Sequence, residues 1–239
     1  MTHRSFRRAL PLVLVAATAA ACSSGGDGPA PAPSPSTPPP AVAAAGSAPS
    51  AAAARTIPAS AFFQMPGDMR REQQQADGAT AVPKLCDREL APGDGVVASA
   101  AMMNVYQAPE APEGSVPHGI LYQTIRSYSG DSAAAFMDRA RDRLAGCTSY
   151  RTAENTVKVR AKPLPGAADE ALTVDLTQPQ LDLPGDPTGG TQTNRIVLLR
   201  FGSVVTILYD GEYERSSSDN DFVAIFTDEA TKAIRSWRG

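Results

Sequence analysis

The sequence predicts an α+β domain, a twisted antiparallel sheet with helices packed on one face, behind an export leader and a low-complexity segment. Three observations lead to this prediction. Two apolar runs, residues 195–200 and 204–209, flank a short turn and are typical of a β-hairpin. Residues 133–146 and 219–237 place apolar side chains at helical spacing. Strands paired antiparallel, with helices on one face, define the α+β class.

The other predicted strands are short runs rich in aliphatic, aromatic and small residues. They cover residues 96–106, 120–128, 156–160 and 171–176. In the second run, Ile120 and Tyr122 alternate with Leu121 and Gln123, a pattern that indicates a strand covered on at least one face. With the hairpin, these runs supply the predicted sheet.

The remaining segments are predicted as a short helix before the first strand and as loops. Residues 57–65 are apolar and bounded by proline, which indicates a short helix that places two phenylalanines on the core. Residues 67–84 are polar and glutamine-rich and are predicted as a long mobile connection. The prolines and glycines of residues 108–117 and 178–193 indicate loops.

Both predicted helices begin near polar residues that can cap a helix N-terminus. Asp131 and Ser132 precede the first helix, which Gly146 ends, so that Cys147 lies just beyond it. Asp219 can cap the last helix. The apolar positions are Phe136, Met137, Ala140 and Leu144 in the first helix and Phe222, Phe226, Ala230, Ile234 and Trp237 in the last.

The start of the chain carries the features of an export signal. Basic residues come first, and the apolar run that follows is too short to span a bilayer. Small alanines then precede Cys22, whose thiol and freed amine can both carry acyl chains. The arrangement resembles a bacterial lipoprotein signal, with residues 1–21 removed and Cys22 lipidated. An ordinary secretory signal cut after Ala21 is the alternative.

Residues 22–54 are predicted as a disordered linker that carries the lipidated Cys22. Residues 23–54 consist almost entirely of Ala, Pro, Ser and Gly and hold one charge, Asp27. Such a segment buries too little apolar surface to offset its ordering entropy, and its proline-rich centre favours extended geometry. The predicted domain then covers residues 55–239. The protein is therefore expected outside the cytoplasm, on the outer face of the cell membrane, held there by lipid.

The charge balance is acidic. Removal of residues 1–21 takes away three of the 22 basic residues and none of the 25 acidic ones, so the net charge moves from −3 to −6. Binding to nucleic acid requires clustered positive charge, so no nucleic-acid partner is expected. The sequence also shows no polybasic run for anionic lipid headgroups, and membrane attachment is expected to depend on the lipid at Cys22.

Cysteine usage predicts one disulfide. With Cys22 lipidated, Cys86 and Cys147 form the remaining pair in an oxidising compartment, where disulfides persist. Closing a loop of about 60 residues would stabilise the fold by roughly 4 kcal/mol. The alternative is two separately buried thiols.

Side chains suited to catalysis are few. His118 lies on a proline-flanked loop, where an exposed histidine is expected, and no nucleophile turn accompanies it. Asp169-Glu170 and Asp210-Gly211-Glu212 lie where turns place solvated acids, and acids in such turns are poor candidates for burial. No metal site or cofactor is expected, because no loop has calcium-ligand spacing and the histidines and cysteines are too few for zinc. We expect a protein that is not an enzyme.

The order of elements carries a resemblance. Ile125-Arg-Ser-Tyr-Ser-Gly-Asp131 leads into the helix that ends at Cys147, and the hairpin of residues 195–211 and the last helix follow. This arrangement resembles the PknH-like extracellular sensor domain of actinobacterial lipoproteins and of a receptor Ser/Thr kinase. The resemblance covers residues 57–237 and implies a sensor-like domain that binds a ligand in a cleft beside its sheet.

Two features depart from that family. Its members commonly carry four cysteines in two disulfides, and an aromatic residue three positions before the cysteine at the helix end. Here residues 55–239 hold only Cys86 and Cys147, and Leu144 stands at the aromatic position. The ligand-binding residues are not predicted.

The function expected from the sequence is a cell-surface lipoprotein with a non-catalytic, ligand-binding, sensor-like domain that meets an envelope ligand or protein partner. Two alternatives remain open. A lipid or glycolipid carrier would need a large dry cavity of hundreds of cubic ångströms. An envelope hydrolase would need a cleft that gathers His118, Asp169 or Glu170.

Overall fold

The computed structural model describes residues 53–78, 81–211 and 213–238. These residues belong to one of two units of the chain, residues 46–239. The predicted signal peptide, Cys22 and residues 22–52 of the predicted linker lie outside the described residues, as does Glu212.

The described residues form one eight-stranded antiparallel sheet, two α-helices and one turn of 3₁₀ helix. The strands lie side by side in the order β1-β2-β3-β8-β7-β6-β5-β4. The 3₁₀ turn is Ala59–Ala61, and the helices are α1 (Ser132–Ala145) and α2 (Asn220–Arg238). The strands are β1 (Arg70–Gln75), β2 (Val96–Tyr106), β3 (Gly119–Tyr128), β4 (Ser149–Arg151), β5 (Thr156–Pro163), β6 (Glu170–Leu181), β7 (Pro187–Phe201) and β8 (Val204–Gly211).

The chain builds this sheet as two meanders joined by one crossover. β1, β2 and β3 pair in sequence, and α1 then carries the chain to β4 at the opposite edge. From there β5, β6 and β7 return strand by strand until β8 pairs with β3. The antiparallel sheet of the predicted α+β fold is confirmed.

The two helices pack on opposite faces of the sheet, so the predicted packing on one face is wrong. Successive side chains of a strand point to opposite faces. In β7, Ile196 and Leu198 lie in a core cluster with α1. Val197 and Leu199, which alternate with them, lie in a cluster with α2. We call these two sides the α1 face and the α2 face.

This two-sided burial accounts for the composition of the central strands. A strand that faces water on one side alternates apolar and polar residues, whereas a strand covered on both sides is apolar throughout. Residues 196–199 are Ile-Val-Leu-Leu, and each is at most 1% exposed.

Neither helix among the described residues has an apolar stretch long enough to cross a bilayer.

Four segments differ from the expectations. Residues 67–84 contain β1, a polar edge strand, and residues 178–193 form the long outer part of the β6–β7 hairpin. Polar edge strands bury little, so their pattern lacks the apolar alternation that identifies covered strands. The predicted short helix near residue 60 is reduced to one 3₁₀ turn, and the short β4 was not predicted.

The ends of the elements follow the sequence closely. The Asp219 carboxylate accepts hydrogen bonds from the amides of Asp221 and Phe222, at 2.8 and 3.2 Å, which confirms it as the cap of α2. Asp131 makes no capping bond from its side chain. Gly202, with φ of 56°, occupies the tight β7–β8 turn, where a side chain would be strained.

Cys86 and Cys147 form a disulfide, as the sequence predicts. Their Cα atoms are 6.1 Å apart and their separation along the chain is 61 residues. Cys147 follows the end of α1, and Cys86 lies in the loop that precedes β2. Both pack against the core cluster on the α1 face. The bond therefore ties α1 to a loop that has little other regular structure.

We expect the double variant Cys86→Ser, Cys147→Ser to lose about 4 kcal/mol of unfolding free energy, because the disulfide no longer restricts the unfolded chain. Urea denaturation of the oxidised protein measures this change. Cys22→Ser is the matched control and should leave the unfolding free energy unchanged. Equal stability of the double variant and the control would contradict the prediction.

Candidate functional site

On the α2 face, the sheet is covered only in part. A helix about 10 Å wide covers about two strands spaced 4.8 Å apart. α2 packs mainly against β7 and β8, and the segment around the 3₁₀ turn packs beside it. Alternate residues of β5 on this face, Lys158, Arg160 and Lys162, are exposed. The helix therefore stands as a wall beside an open sheet floor.

The corner between helix and sheet is a groove of about 480 Å³. Its wall is the first half of α2, its floor comes from β6 and β7, and the β5–β6 loop closes one end. The lining residues are Leu164, Pro165, Gly166, Ala167, Thr173, Arg195, Val197, Asn220, Val223, Ala224, Thr227 and Asp228. The groove thus combines an apolar corner with hydroxyl, amide and charged groups.

Arg195 is the central charged group of the floor. Its Nε donates to Oδ1 of Asp175 at 2.6 Å, and its Nη1 donates to the side-chain oxygen of Asn220 at the start of α2. Asp175 also lies 3.8 Å from Nζ of Lys162. The side chains of Arg195 and Asp175 are each only 15% exposed, so the pair is held firmly beneath the groove.

The loop at the end of the groove is attached to the helix. The main-chain oxygen of Ala167 accepts a hydrogen bond from Nη2 of Arg235 at 3.3 Å, and Oγ1 of Thr231 lies 3.5 Å from it. Ala167 and Ala168 also pack against the core cluster on this face. The contacts with α2 therefore fix the position of this loop at the end of the groove without a ligand.

A second hollow of about 370 Å³ lies on the α1 face. Tyr150, Asn194 and Tyr209 line it, together with Lys84 and Asp87 of the loop before β2. We take the groove on the α2 face as the candidate site, because its wall is a regular helix and its floor carries an ordered pair of charges.

Asp210 is a buried acid next to this floor. It lies beside Arg195 across the β7–β8 pairing and is 1% exposed. Its Oδ1 accepts a hydrogen bond from the Tyr106 hydroxyl at 2.8 Å. Its main-chain oxygen accepts one from the Ser218 hydroxyl at 3.0 Å. The expectation that this acid is solvated in a turn is wrong, because β8 continues through Asp210 and turns its side chain to the covered α2 face.

Burial raises the pKa of Asp210 from 3.8 to about 6, and hydrogen bonds from Ser218 and Tyr106 and the charge of Arg195 limit the rise. Burial, followed by the neighbouring Asp210, also raises the pKa of the Tyr106 hydroxyl. The backbone allows this contact because position 119 is glycine. A Cβ there would lie 2.7 Å from the Tyr106 oxygen.

His118 is half-buried rather than exposed, contrary to expectation. Its ring lies 5.7 Å from the Tyr106 ring and 5.1 Å from the Phe222 ring, centroid to centroid. The loop that carries His118 packs against Phe222 at the start of α2, and this tertiary contact has no signal in the local sequence.

Asp169 and Glu170 lie at the other end of β8 and do not meet His118. Asp169 accepts a hydrogen bond from the amide of Gly202 at 2.6 Å. Glu170 accepts one from Nε of Arg200 at 2.8 Å and also pairs with Arg141 of α1. These acids stabilise the β7–β8 turn and the contact with α1. Within the described part of the chain, no three His, Cys, Asp or Glu side chains converge as a metal site.

The extracellular domain of PknH from Mycobacterium tuberculosis is similar to this chain over 60% of the chain and 67% of its own length. The sequence identity is 14% and the TM-score is 0.42. The comparison with protein-family models finds no match, and neither does the comparison with curated proteins. Membership of the PknH-like family stays a prediction.

The pKa of Asp210 predicts how stability depends on pH. Because its pKa is about 6 in the folded state and near 3.8 when unfolded, the folded state holds a proton that the unfolded state releases between these values. Stability from this group is therefore present at low pH and lost as pH rises. The unfolding free energy of Asp210→Asn relative to wild type should rise by about 2 kcal/mol from pH 4 to 7.

Urea denaturation at a series of pH values measures this difference. Asp94→Asn changes an exposed loop carboxyl and serves as the matched control, with no such rise expected. Only the change of this difference with pH reports on the Asp210 proton, so a constant penalty from the asparagine has no effect on the result. A difference that stays flat across this window would show that Asp210 is not held protonated by burial.

Proposed function

We propose that the protein is a lipid-anchored surface protein whose domain binds a ligand at the cell envelope in a sensor-like, non-catalytic role. The lipoprotein-like leader, Cys22 and the low-complexity residues 23–54 support the anchoring. The Cys86–Cys147 disulfide supports an oxidising compartment. The groove beside α2 is the observation that carries the binding role.

The groove has the properties of a site for a small or extended polar ligand. It is open, so a ligand can enter without local unfolding. Thr173 and Asn220 offer groups that can donate and accept hydrogen bonds, and Val197 and Val223 offer apolar contact. Such a mixture of apolar surface and a few polar groups is typical of ligand sites.

The two alternatives have less support. A lipid carrier needs a dry cavity, whereas this groove is open and has the charged side chains of Arg195 and Asp228 in its lining. A hydrolase needs an accessible acid or base. Asp210 has a suitably raised pKa, but it is 1% exposed and one of its carboxylate oxygens accepts from Tyr106.

Lipid anchoring is tested by Cys22→Ser in the native host. We expect the variant to move from the membrane fraction to the soluble fraction and to lose the mass of the acyl chains. Ser23→Ala, one residue further along the chain, is the control and should stay in the membrane fraction. Membrane retention of Cys22→Ser with no loss of acyl mass would exclude the anchor.

The binding role is tested by filling the groove. Ala224 is an exposed residue of the groove wall, so Ala224→Trp places a large ring in the groove without entering the core. Native mass spectrometry of the protein purified from its host should find a retained ligand in wild type and lose it in this variant. The ligand should be recovered chemically unchanged, as a non-catalytic role requires.

Ile225→Trp provides the control, because Ile225 is the next residue on α2, is also exposed, and lies outside the groove lining. It should retain the ligand. If both tryptophan variants retained the ligand equally, the groove would not be its site. If the ligand were released in altered form, the non-catalytic role would be wrong.

A further inference from the structure

Strand β5, which lies beside the groove floor, carries a stripe of positive charge, although the chain as a whole is acidic. In β5, residues of the same parity share a face, and Lys158, Arg160 and Lys162 all lie on the α2 face. Their partners on β6 are Thr177, Asp175 and Thr173. All three basic residues are exposed, although the chain as a whole has a net charge of −3.

Two further cations extend this stripe across the floor. Arg151 of β4 pairs with Thr156, which has the parity of Lys158, so Arg151 lies on the same face at the sheet edge. Arg195 lies on β7, opposite Asp175. Among the described residues of β4 to β7 on the α2 face, Asp175 is the acidic one, and Arg195 and Lys162 already share its charge. Among the described residues, neither Lys158 nor Arg160 makes an ion pair.

The shape of the site selects among negatively charged partners. A helix packed on a sheet lies about 10 Å above it. A flat bilayer approaching this face would therefore meet α2 before it reached the stripe. A narrow chain can lie on the floor along β5, with α2 at its side. The shape favours a linear polymer over a membrane surface.

The chemistry of the site also disfavours nucleic acid. Proteins that bind single strands stack bases on aromatic side chains. The groove lining and the basic stripe contain no aromatic residue. The neighbouring groups are instead the hydroxyls of Thr173 and Thr177, which suit the oxygens of a hydrated polymer.

The spacing of the stripe adds a length requirement. Alternate residues of a strand are roughly 7 Å apart, so Lys158, Arg160 and Lys162 repeat at this distance along β5. A chain of phosphodiesters joined by short diols places its negative charges at about the same interval. Each phosphate could then meet one basic side chain in turn.

From these observations we infer that the ligand of the groove is a linear, base-free phosphodiester polymer that extends from the groove onto the neighbouring strand β5, where it lies along the basic stripe. This inference rests on the proposed function, because it names the ligand class of that same site. The basic residues would supply charge-assisted hydrogen bonds to phosphate, and the threonine hydroxyls would contact the linking diols.

The test uses a fluorescent oligomer of 1,3-propanediol phosphodiesters and the full mature chain. Anisotropy should show binding that weakens as salt is added. The variant Lys158→Gln, Arg160→Gln should bind about tenfold more weakly, and its salt slope should fall by about 2. The control Arg70→Gln, Lys84→Gln removes the same charges from exposed positions outside the floor and should bind as wild type does.

Four further probes decide the ligand class. An oligomer with the same number of phosphates joined by hexaethylene glycol should bind more weakly, because its charges do not match the stripe. Inorganic phosphate should compete poorly. Vesicles of phosphatidylglycerol and an oligonucleotide of equal charge should both bind more weakly than the propanediol oligomer.

The inference is wrong if the two double variants weaken binding equally, if charge spacing has no effect, or if vesicles, oligonucleotide or free phosphate bind at least as well. These outcomes leave the proposed function separately testable. A neutral ligand that is retained by wild type and lost in Ala224→Trp would support the groove as a binding site and overturn its assignment to a polyanion.

Discussion

Strand β7 must bury both of its faces, and the rest of the structure follows from this requirement. Its four consecutive apolar residues, Ile196 to Leu199, point alternately to opposite sides of the sheet. Leaving either pair in water would forfeit roughly 1.5–3 kcal/mol for each side chain. One helix must therefore cover each side. α1 meets this need within the crossover from β3 to β4, and α2 meets it after β8.

The groove is a consequence of how far this cover extends. One helix covers about two strands, so on the α2 face β4, β5 and most of β6 remain open. On the part of the α2 face that α2 leaves open, the side chains are hydroxyl-bearing or charged instead of apolar. Thr173, Asp175 and Arg160 are examples. Arg195 lies at this boundary. It pairs with Asp175 on the open side and lies beside the buried Asp210 on the other.

Much of this architecture could be predicted from local sequence. β2, β3, α1, α2, the β7–β8 hairpin and the Asp219 cap all have patterns that depend on nearest neighbours along the chain. The Cys86–Cys147 pairing followed from counting cysteines in a protein that is expected to be exported. The polar strand β1 and the outer β6–β7 hairpin could not be predicted in this way, because strands that bury little leave no apolar alternation.

By itself, the sequence determined the type of the apolar elements, the antiparallel class and the disulfide, since these depend on periodicity, turns and cysteine number. Only the tertiary structure decided which face each helix covers, although the unbroken apolar run of β7 was a signal for cover on both sides. It also decided that Asp210 is buried and that Lys158, Arg160 and Lys162 flank a groove. Burial and charge clustering depend on residues that are distant in sequence and close in the fold. The overall composition contains no information about which residues become neighbours.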